Sequence, residues 1–169
     1  AASDVYKRQV QDLLTLSRLD AGSTEMVFTR FPFHDAIESV VRSNSLNAKQ
    51  RGHELTYVPE GELPLITGDR SRLEQVMMNI LGNAIKYTKE GSITLSVTWE
   101  PQGEDGVLVI HMEDTGVGIR KEDLPYIFQS YGRLDRKANR HIEGTGLGLP
   151  ICQKLTELMH GELGVDSTY

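Results

Sequence analysis

The stretch that decides the fold is DRSRLEQVMMNILGNAIKYT, residues 69–88. Apolar residues recur in it at the i, i+3, i+4 and i+7 spacing of an amphipathic helix. They are Leu73, Val76, Met77, Ile80, Leu81, Ala84 and Ile85. Asp69, or Ser71 together with Glu74, provides the capping chemistry expected at a helix start. The stretch therefore predicts one long helix with one face in the core.

Polar residues on this helix lie beside its apolar face. With about 100° of rotation per residue, four of them fall within an arc of roughly 80°. These four are Gln75, Asn79, Asn83 and Lys86. Amide oxygens suit a hard cation that keeps several waters, and Lys offers a point charge to phosphate. The alternative is a solvated helix flank, which is the commoner state for a single Asn or Lys.

Shorter elements are predicted on both sides of the long helix. Residue patterns predict strands over residues 27–33, 53–58, 92–99 and 107–113, and a last strand beginning at residues 164–166. A turn over residues 103–106 joins two of these strands into an antiparallel hairpin. Helical spacing predicts helices over residues 10–20, from residue 36 up to Gly52, and over residues 147–159. Residues 1–9 carry no comparable pattern and are assigned no function.

A glycine-containing loop, EDTGVG at residues 113–118, follows the second hairpin strand directly. Asp114 is therefore expected at a strand end, where its carboxylate can accept a hydrogen bond from an exocyclic amine. Gly116 and Gly118 let a ligand approach the backbone closely. The alternative is an ordinary turn in which Asp114 caps backbone amides.

A second glycine-rich loop, GTGLGL at residues 144–149, opens directly into the last predicted helix. Unpaired N–H groups and the positive end of the helix dipole make such a start a phosphate site. Pro150 in the first turn is compatible, because no helical bond needs its missing N–H. The alternative is a glycine hinge. Neither loop follows the first strand of a βαβ unit or ends in Gly-Lys-Ser or Gly-Lys-Thr, so the dinucleotide and Walker patterns do not apply.

The order of these motifs resembles the N, G1, F and G2 boxes of the ATP-binding domain of bacterial sensor histidine kinases, within the GHKL superfamily. The matching residues are Asn79, Asn83, Lys86 and Tyr87, then Asp114, Gly116 and Gly118, then Ile127 and Phe128, then Gly144, Gly146 and Gly148. The resemblance implies an α/β (α+β) fold, a two-layer Bergerat-type sandwich. Its mixed, mostly antiparallel sheet would carry helices on one face.

The same resemblance implies a role for each matched residue. Asp114 resembles the carboxylate that reads adenine, and Asn83, assisted by Asn79, resembles the Mg²⁺ ligand. Residues 133–143, with Arg140 and His141, resemble a mobile lid. The other implied ATP contacts are Lys86, Tyr87, Gly116, Gly118, Ile119, Gly144, Thr145, Gly146, Leu147 and Gly148. No catalytic residue is assigned, since positioning and charge neutralisation supply most of phosphoryl transfer.

The chain also departs from the family pattern in several features. Gln129, Ser130 and Tyr131 stand where an acidic residue and a second aromatic are usual. None of the five histidines has the phosphoacceptor context, so the acceptor is expected upstream of residue 1. Residues 1–22 are interpreted as the tail of a dimerisation helix, of which residues 1–9 are either native or foreign to the protein. Residues 23–169 are interpreted as the ATP-binding domain, and we expect it to lack the closing Gly-x-Gly-Thr strand segment of the family.

The implied activity is phosphoryl donation from Mg-ATP to a histidine on a dimerisation domain of the same or a sister protomer. A response-regulator receiver domain then takes the group. Two alternatives are a noncatalytic ATP-sensing or scaffold domain and a GHKL ATPase. The ATPase requires a general-base Glu, and Asn79 stands at that position.

Composition bears on the partners and the cellular location expected for this activity. A net charge of −6, with scattered Lys and Arg, argues against a nucleic-acid partner. A single cysteine, Cys152, cannot form an internal disulfide. No apolar run approaches the roughly 20 residues needed to cross a bilayer. We therefore expect a soluble fragment at the cytoplasmic face, with a parent protein anchored in the bacterial inner membrane.

Overall fold

The computed structural model describes the backbone of residues 2–130 and 145–169, and the side chains from Tyr6 onward within them. The predicted lid lies outside the described residues, and so do Tyr131, Arg140, His141 and Gly144. The chain divides into two compact units. Residues 27–117 form the sheet unit, and residues 1–26 with 118–169 form the helix-pair unit.

Four helices and five strands make up the described part of the chain. In chain order they are α1 (Ala2–Asp20), β1 (Thr29–Pro32), α2 (Phe33–Gln50), β2 (His53–Glu60), β3 (Leu65–Gly68), α3 (Arg70–Tyr87), β4 (Gly91–Gln102), β5 (Asp105–Asp114) and α4 (Gly148–Leu158). A short 3-10 helix, Leu124–Tyr126, precedes α4. None of the helices in this part combines the length and apolar character needed to span a membrane.

Helix α3 confirms the prediction made from residues 69–88. Asp69 is its N-cap, and the Asp69 carboxylate accepts hydrogen bonds from the backbone N–H of Arg72 at 3.0 Å and of Val27 at 2.9 Å. At the other end Thr88 leaves the helix in an extended conformation, while its N–H still donates to the carbonyl of Ala84 at 3.1 Å. Both ends therefore lie within a residue of the predicted bounds.

The main sheet is mixed, as predicted. Its strand order is β2-β4-β5, with β2 and β4 parallel and β4 and β5 antiparallel. The hairpin register pairs Gln102 with Asp105, so the connecting loop consists of Gly103 and Glu104 and is tighter than the predicted turn over residues 103–106. Gly103 has a φ of +67°, which a two-residue hairpin loop requires and glycine adopts without strain.

The core of the sheet unit lies between this sheet and the helices α2 and α3. Ile93, Leu95 and Val97 alternate along β4, and all three are fully buried. From the helices they are met by buried apolar residues that include Phe33, Ile37, Leu81 and Ile85. Each such side chain contributes about 1.5–3 kcal/mol by leaving water. The predicted sandwich, with helices on one sheet face, is confirmed in this unit.

Two strands differ from the sequence prediction. Strand β3 was not predicted, because its four residues LITG show no sustained alternation. It pairs antiparallel with β1 in a separate two-stranded sheet, so the strands do not all belong to one sheet. Residues 164–166, expected to begin a strand, are not in one. Side-chain contacts hold the end of that segment instead, with Ser167 accepting from the Ile119 N–H at 2.8 Å and Tyr169 lying under Arg120.

Helix α1 begins at Ala2 rather than near Val10, where the apolar stripe starts. Residues 1–9 contain neither Gly nor Pro, so intrinsic propensity suffices to extend the helix beyond the periodic pattern. Leu16 is buried, whereas Val10, Leu13 and Leu14 are about half exposed. Within the helix-pair unit, α1 packs against α4.

Candidate functional site

Four polar residues of α3 lie at the rim of the core, as their helical positions predict. Gln75, Asn79, Asn83 and Lys86 are each partly buried, while Val76, Met77, Leu81, Ala84 and Ile85 between them are buried. The Gln75 carbonyl oxygen accepts from the Arg72 guanidinium at 3.1 Å, so Gln75 is engaged within the helix. The Lys86 ammonium lies 4.9 Å from the centre of the Tyr87 ring. The amides therefore border the core rather than standing on a fully solvated flank.

Asp114 ends β5, at the strand terminus where the sequence places it. It pairs in register with Ile93 of the central strand, and its side chain is exposed. The Oδ1 atom accepts the backbone N–H of Gly116 at 2.9 Å. Among the described residues none donates to Oδ2. A carboxylate accepts several hydrogen bonds, so Asp114 caps its own turn and still offers an oxygen to a ligand.

Gly116 lies where the Asp114 loop crosses the end of α3. A Cβ atom at position 116 would lie 2.6 Å from Asp114 Oδ1, 2.8 Å from the Tyr87 carbonyl oxygen and 3.1 Å from the Thr88 hydroxyl. The Val117 N–H donates to that same Tyr87 carbonyl at 3.4 Å. Only glycine fits this crossing without displacing its neighbours, so the loop is held against the helix by backbone contacts.

In the helix-pair unit, Gly118 and Ile119 pack against the last residues of the chain. Gly118 has a φ of +70°, and a Cβ atom there would clash with the Thr168 carbonyl oxygen. Ile119 is partly buried, and its N–H donates to Ser167 Oγ. These contacts place both predicted residues at a crowded backbone position within this unit.

The second glycine-rich loop leads into α4 as predicted. Thr145 Oγ1 accepts the Leu147 N–H at 3.2 Å and donates to Asp12 Oδ2 of α1 at 2.7 Å. Gly146 has a φ of +71°, a left-handed conformation that favours glycine. Leu147 is buried, and α4 begins at Gly148 with no side chain of the described residues capping its first turn. Its N-terminal N–H groups are thus available to an anion.

Four of the five histidines fall in the described part of the chain. His34 lies 3.1 Å from the Tyr57 hydroxyl and 3.2 Å from Glu38, and burial together with the Glu38 charge raises the pKa of Tyr57 above 10.0. His53 is buried, with Nε2 3.0 Å from the Ile85 carbonyl oxygen. His111 is exposed on β5, and His160 follows α4. Contrary to the sequence expectation, His34 lies on α2 directly before the acidic Asp35, with Pro32 as the N-cap of that helix.

Residues 68–169 match the family described as histidine kinase-, DNA gyrase B-, and HSP90-like ATPase. The chain belongs to this family. The match covers α3, the Asp114 loop and the second glycine-rich loop, which are the parts that the sequence motifs select.

Two relatives of this ATPase-family domain are histidine kinases by name. The chain is 35% identical over 161 residues to the sensor histidine kinase GacS of Pseudomonas protegens. The aligned residues are 94% of this chain and 18% of GacS. It is 32% identical over 163 residues to the hybrid signal transduction histidine kinase L of Dictyostelium discoideum. That alignment includes 95% of this chain and 10% of the relative. The chain thus spans less than a fifth of each of these two relatives.

Solved structures of similar fold support the same family. Full-length ShkA in complex with AMPPNP superimposes with a TM-score of 0.79 at 28% identity, over 95% of this chain and 34% of ShkA. The catalytic domain of the histidine kinase ThkA gives a TM-score of 0.60 at 26% identity, over 78% of this chain and 82% of that one.

In this ATPase-family domain the predicted residues divide between the two units. Asn79, Asn83, Lys86, Tyr87, Asp114 and Gly116 belong to the sheet unit, and Gly118, Ile119 and residues 145–148 belong to the helix-pair unit. The sheet unit brings Asp114, Gly116 and Tyr87 into contact. Sequence reasoning missed Thr88, which borders Gly116, and Asp12, which bonds to Thr145. Thr88 adjoins a recognised motif, whereas nothing in the sequence around Asp12 signals its contact.

The candidate ligands for a divalent cation in this family member are amide oxygens rather than a cluster of carboxylates. The described residues contain no group of three or more His, Cys, Asp or Glu side chains able to hold a metal. Asn79 and Asn83 lie one helical turn apart and offer two amide oxygens. Mg²⁺ is commonly held by few protein ligands together with substrate phosphates and water, so this donor set fits a cation that arrives with a nucleotide.

Proposed function

We propose that this chain is the ATP-binding part of a sensor-type histidine kinase. It binds Mg-ATP and donates the γ-phosphoryl group to a histidine of a dimerisation domain, from which a receiver-domain aspartate takes it. The observation that carries the proposal is Asp114, held by Gly116 through one oxygen while the other stays open to a ligand. Family membership and the likeness to ShkA, solved with AMPPNP, support the nucleotide class.

Asp114 would select adenine by its negative charge and by the direction of its open carboxylate oxygen, Oδ2. An exocyclic amine donates to Oδ2, and a ring bearing a carbonyl at that position would meet the carboxylate with repulsion. Gly116 presents no side chain, so the loop that carries Asp114 packs closely against the end of α3. The Gly116 hydrogen bond fixes the plane of the carboxylate, which reduces the ordering needed when the base binds.

The phosphates would be held by positioning and charge rather than by a protein nucleophile. Asn79 and Asn83 are the proposed cation ligands, and Lys86 supplies a positive charge on the same helix. Thr145 and the N–H groups at the start of α4 are the proposed phosphate contacts in the helix-pair unit. When bound, Mg²⁺ neutralises charge on the transferring group. The chain itself orients the donor, and the accepting histidine belongs to the dimerisation domain.

The test of adenine recognition is Asp114→Asn, with ATP affinity measured by isothermal titration calorimetry. The amide keeps an oxygen for the Gly116 N–H but turns a donor toward the base amine, so ATP binding should be lost and thermal stability retained. Glu113→Gln makes the same change at the preceding exposed carboxylate and should bind ATP as the parent does. Retained affinity in Asp114→Asn would sink the assignment.

The cation assignment is tested by Asn83→Ala. The parent should bind ATP more tightly when Mg²⁺ is present, and the variant should lose most of that difference. Asn47→Ala, on the exposed face of α2, is the matched control and should keep it. An Asn83→Ala chain with the parent's Mg²⁺ dependence would refute the role.

Kinase activity needs a separate experiment, because the chain is a short part of its relatives. Radiolabelled ATP and the chain are mixed with a dimerisation domain that carries the acceptor histidine, and label on that domain is the expected result. Binding without transfer would favour the ATP-sensing scaffold. Release of labelled phosphate would favour an ATPase, which Asn79 at the place of the general-base Glu disfavours.

A further inference from the structure

Thr88, the C-cap residue of α3, has a hydroxyl that makes no hydrogen bond within the described part of the chain. The side chain is 3% exposed, and Oγ1 is buried without a hydrogen-bond partner among the described residues. A buried hydroxyl left unsatisfied costs about 1–3 kcal/mol, and such groups are rare in native proteins. The one other such side-chain atom, His53 Nδ1, belongs to a ring whose Nε2 is bonded to Ile85. Thr88 therefore needs an explanation of its own.

The orientation of this side chain points to the base-reading loop. Its methyl group lies on the Gly91 side, 3.8 Å from where a Cβ of that glycine would be. Its hydroxyl lies on the Gly116 side, 3.1 Å from the corresponding Cβ position, which Asp114 Oδ1 approaches to 2.6 Å. The buried hydroxyl and the carboxylate oxygen thus both lie close to the ideal Cβ position of Gly116.

Helix capping does not explain the Thr88 hydroxyl. As the C-cap residue, Thr88 serves α3 through its backbone N–H, which donates to Ala84. A valine of the same shape would fill the site and remove the unsatisfied group, which is neutral or favourable when no partner is lost. A threonine here costs stability in the nucleotide-free chain, so its use must lie in another state.

We propose that Thr88 is a positioning residue for adenine recognition, acting through Asp114. When a base engages Oδ2, the Thr88 hydroxyl donates to Oδ1, which then receives two hydrogen bonds, one from Gly116 and one from Thr88. Hydrogen bonds to an ionised acceptor are stronger than neutral ones, and the two together fix the carboxylate plane. Thr88 does not touch the base, because its Oγ1 is closed to solvent. The inference rests on the proposed function.

The experiment compares Thr88→Val and Thr88→Ser with the parent, using thermal denaturation without nucleotide and calorimetric Kd values for two ligands. The ligands are ATP and purine riboside triphosphate, which lacks the exocyclic amine. Thr88→Val should melt at or above the parent temperature and bind ATP about tenfold more weakly. The amine-free ligand should bind the parent and Thr88→Val equally. Thr88→Ser should restore ATP affinity to within about twofold of the parent.

The inference is overturned if Thr88→Val binds ATP with the parent Kd, or weakens both ligands by the same factor. If the variant loses stability, the ratio of the two Kd values still decides, because a structural defect lowers both affinities together. Asp114→Asn separates the two levels of the proposal. A parent that binds ATP and loses it with Asp114→Asn, while Thr88→Val has no effect, retains the proposed function and loses only the inference.

Discussion

The two units hold their proposed nucleotide-binding residues by different means. In the sheet unit, Asp114 and Gly116 are set by backbone contacts at the end of α3, directly above a core of fully buried strand residues. In the helix-pair unit, Thr145 is set by a side-chain bond to Asp12, and Lys154 pairs with Asp20 at the surface. The proposed adenine contacts thus lie beside a packed core, whereas the proposed phosphate contacts depend on single polar contacts.

This difference predicts which of the two groups of residues changes its contacts more readily. Packed cores open only with much of the global free energy of unfolding, whereas segments held by a few exposed contacts open at low cost. Exposed ion pairs contribute about 0–1 kcal/mol each. We therefore expect the adenine end to keep its geometry while contacts at the phosphate loop break and reform.

Leu95→Ala should have the largest effect. Leu95 is fully buried on the central strand, so its truncation should lower the free energy of unfolding by about 3 kcal/mol through lost burial and a cavity. Leu46→Ala, on the exposed side of α2, should cost less than about 0.5 kcal/mol. Urea denaturation of both variants checks the difference, and equal losses would contradict a core centred on β4.

Asp69→Ala should come next, with a loss of about 2 kcal/mol. The substitution leaves two backbone donors, the N–H groups of Arg72 and Val27, without their acceptor. Asp69→Asn retains one acceptor oxygen and should recover part of the loss. An Asp69→Ala chain as stable as the parent in urea would show that water satisfies both donors.

Thr145→Val should cost about 1 kcal/mol, and its effect should stay local. Amide hydrogen exchange at Leu147 should accelerate, because that N–H loses the Thr145 oxygen, while exchange at Gly116 should not change. Asp12→Asn keeps an acceptor for the Thr145 hydroxyl and serves as the control. Faster exchange at both amides would break the comparison, since it would mean that the two regions open together.

Lys154→Ala should have the smallest effect, below about 0.5 kcal/mol. Lys154 and Asp20 are both substantially exposed, with side-chain exposures of 39% and 53%, so water and salt screen their attraction. The difference from the parent should disappear in 1 M salt, where screening acts over about 3 Å. A loss above about 1 kcal/mol that persists in high salt would show that this pair holds α1 to α4.

Much of the sheet unit was predictable because its signals are local. The 3.6-residue period of residues 69–88 fixed the helix and put Asn79 and Asn83 at the core rim, and strand alternation put Asp114 at a strand end. A strand as short as β3 gives no periodic signal, and the end of the chain is fixed by Ser167 and Ile119 rather than by a strand pattern.

Contacts between distant residues escaped prediction for a different reason. Asp12 and Thr145 are 133 positions apart, and no local pattern joins them. Thr88 appeared in sequence only as the end of a helix, since the burial of its hydroxyl depends on where the Asp114 loop crosses. The family resemblance supplied roles for matched residues, but it carried no information about these unmatched neighbours.

The parallel pairing of β2 and β4 has a consequence for the order of folding. The β4–β5 hairpin closes through a two-residue loop, so it can form within microseconds. Strand β2 joins β4 only after the chain between them, which includes α3, has been brought back across the sheet. Such long-range pairing is slow. The helix that carries Asn79 and Asn83 is itself the crossover, so the sheet cannot be completed before the segment of that helix has been brought into place.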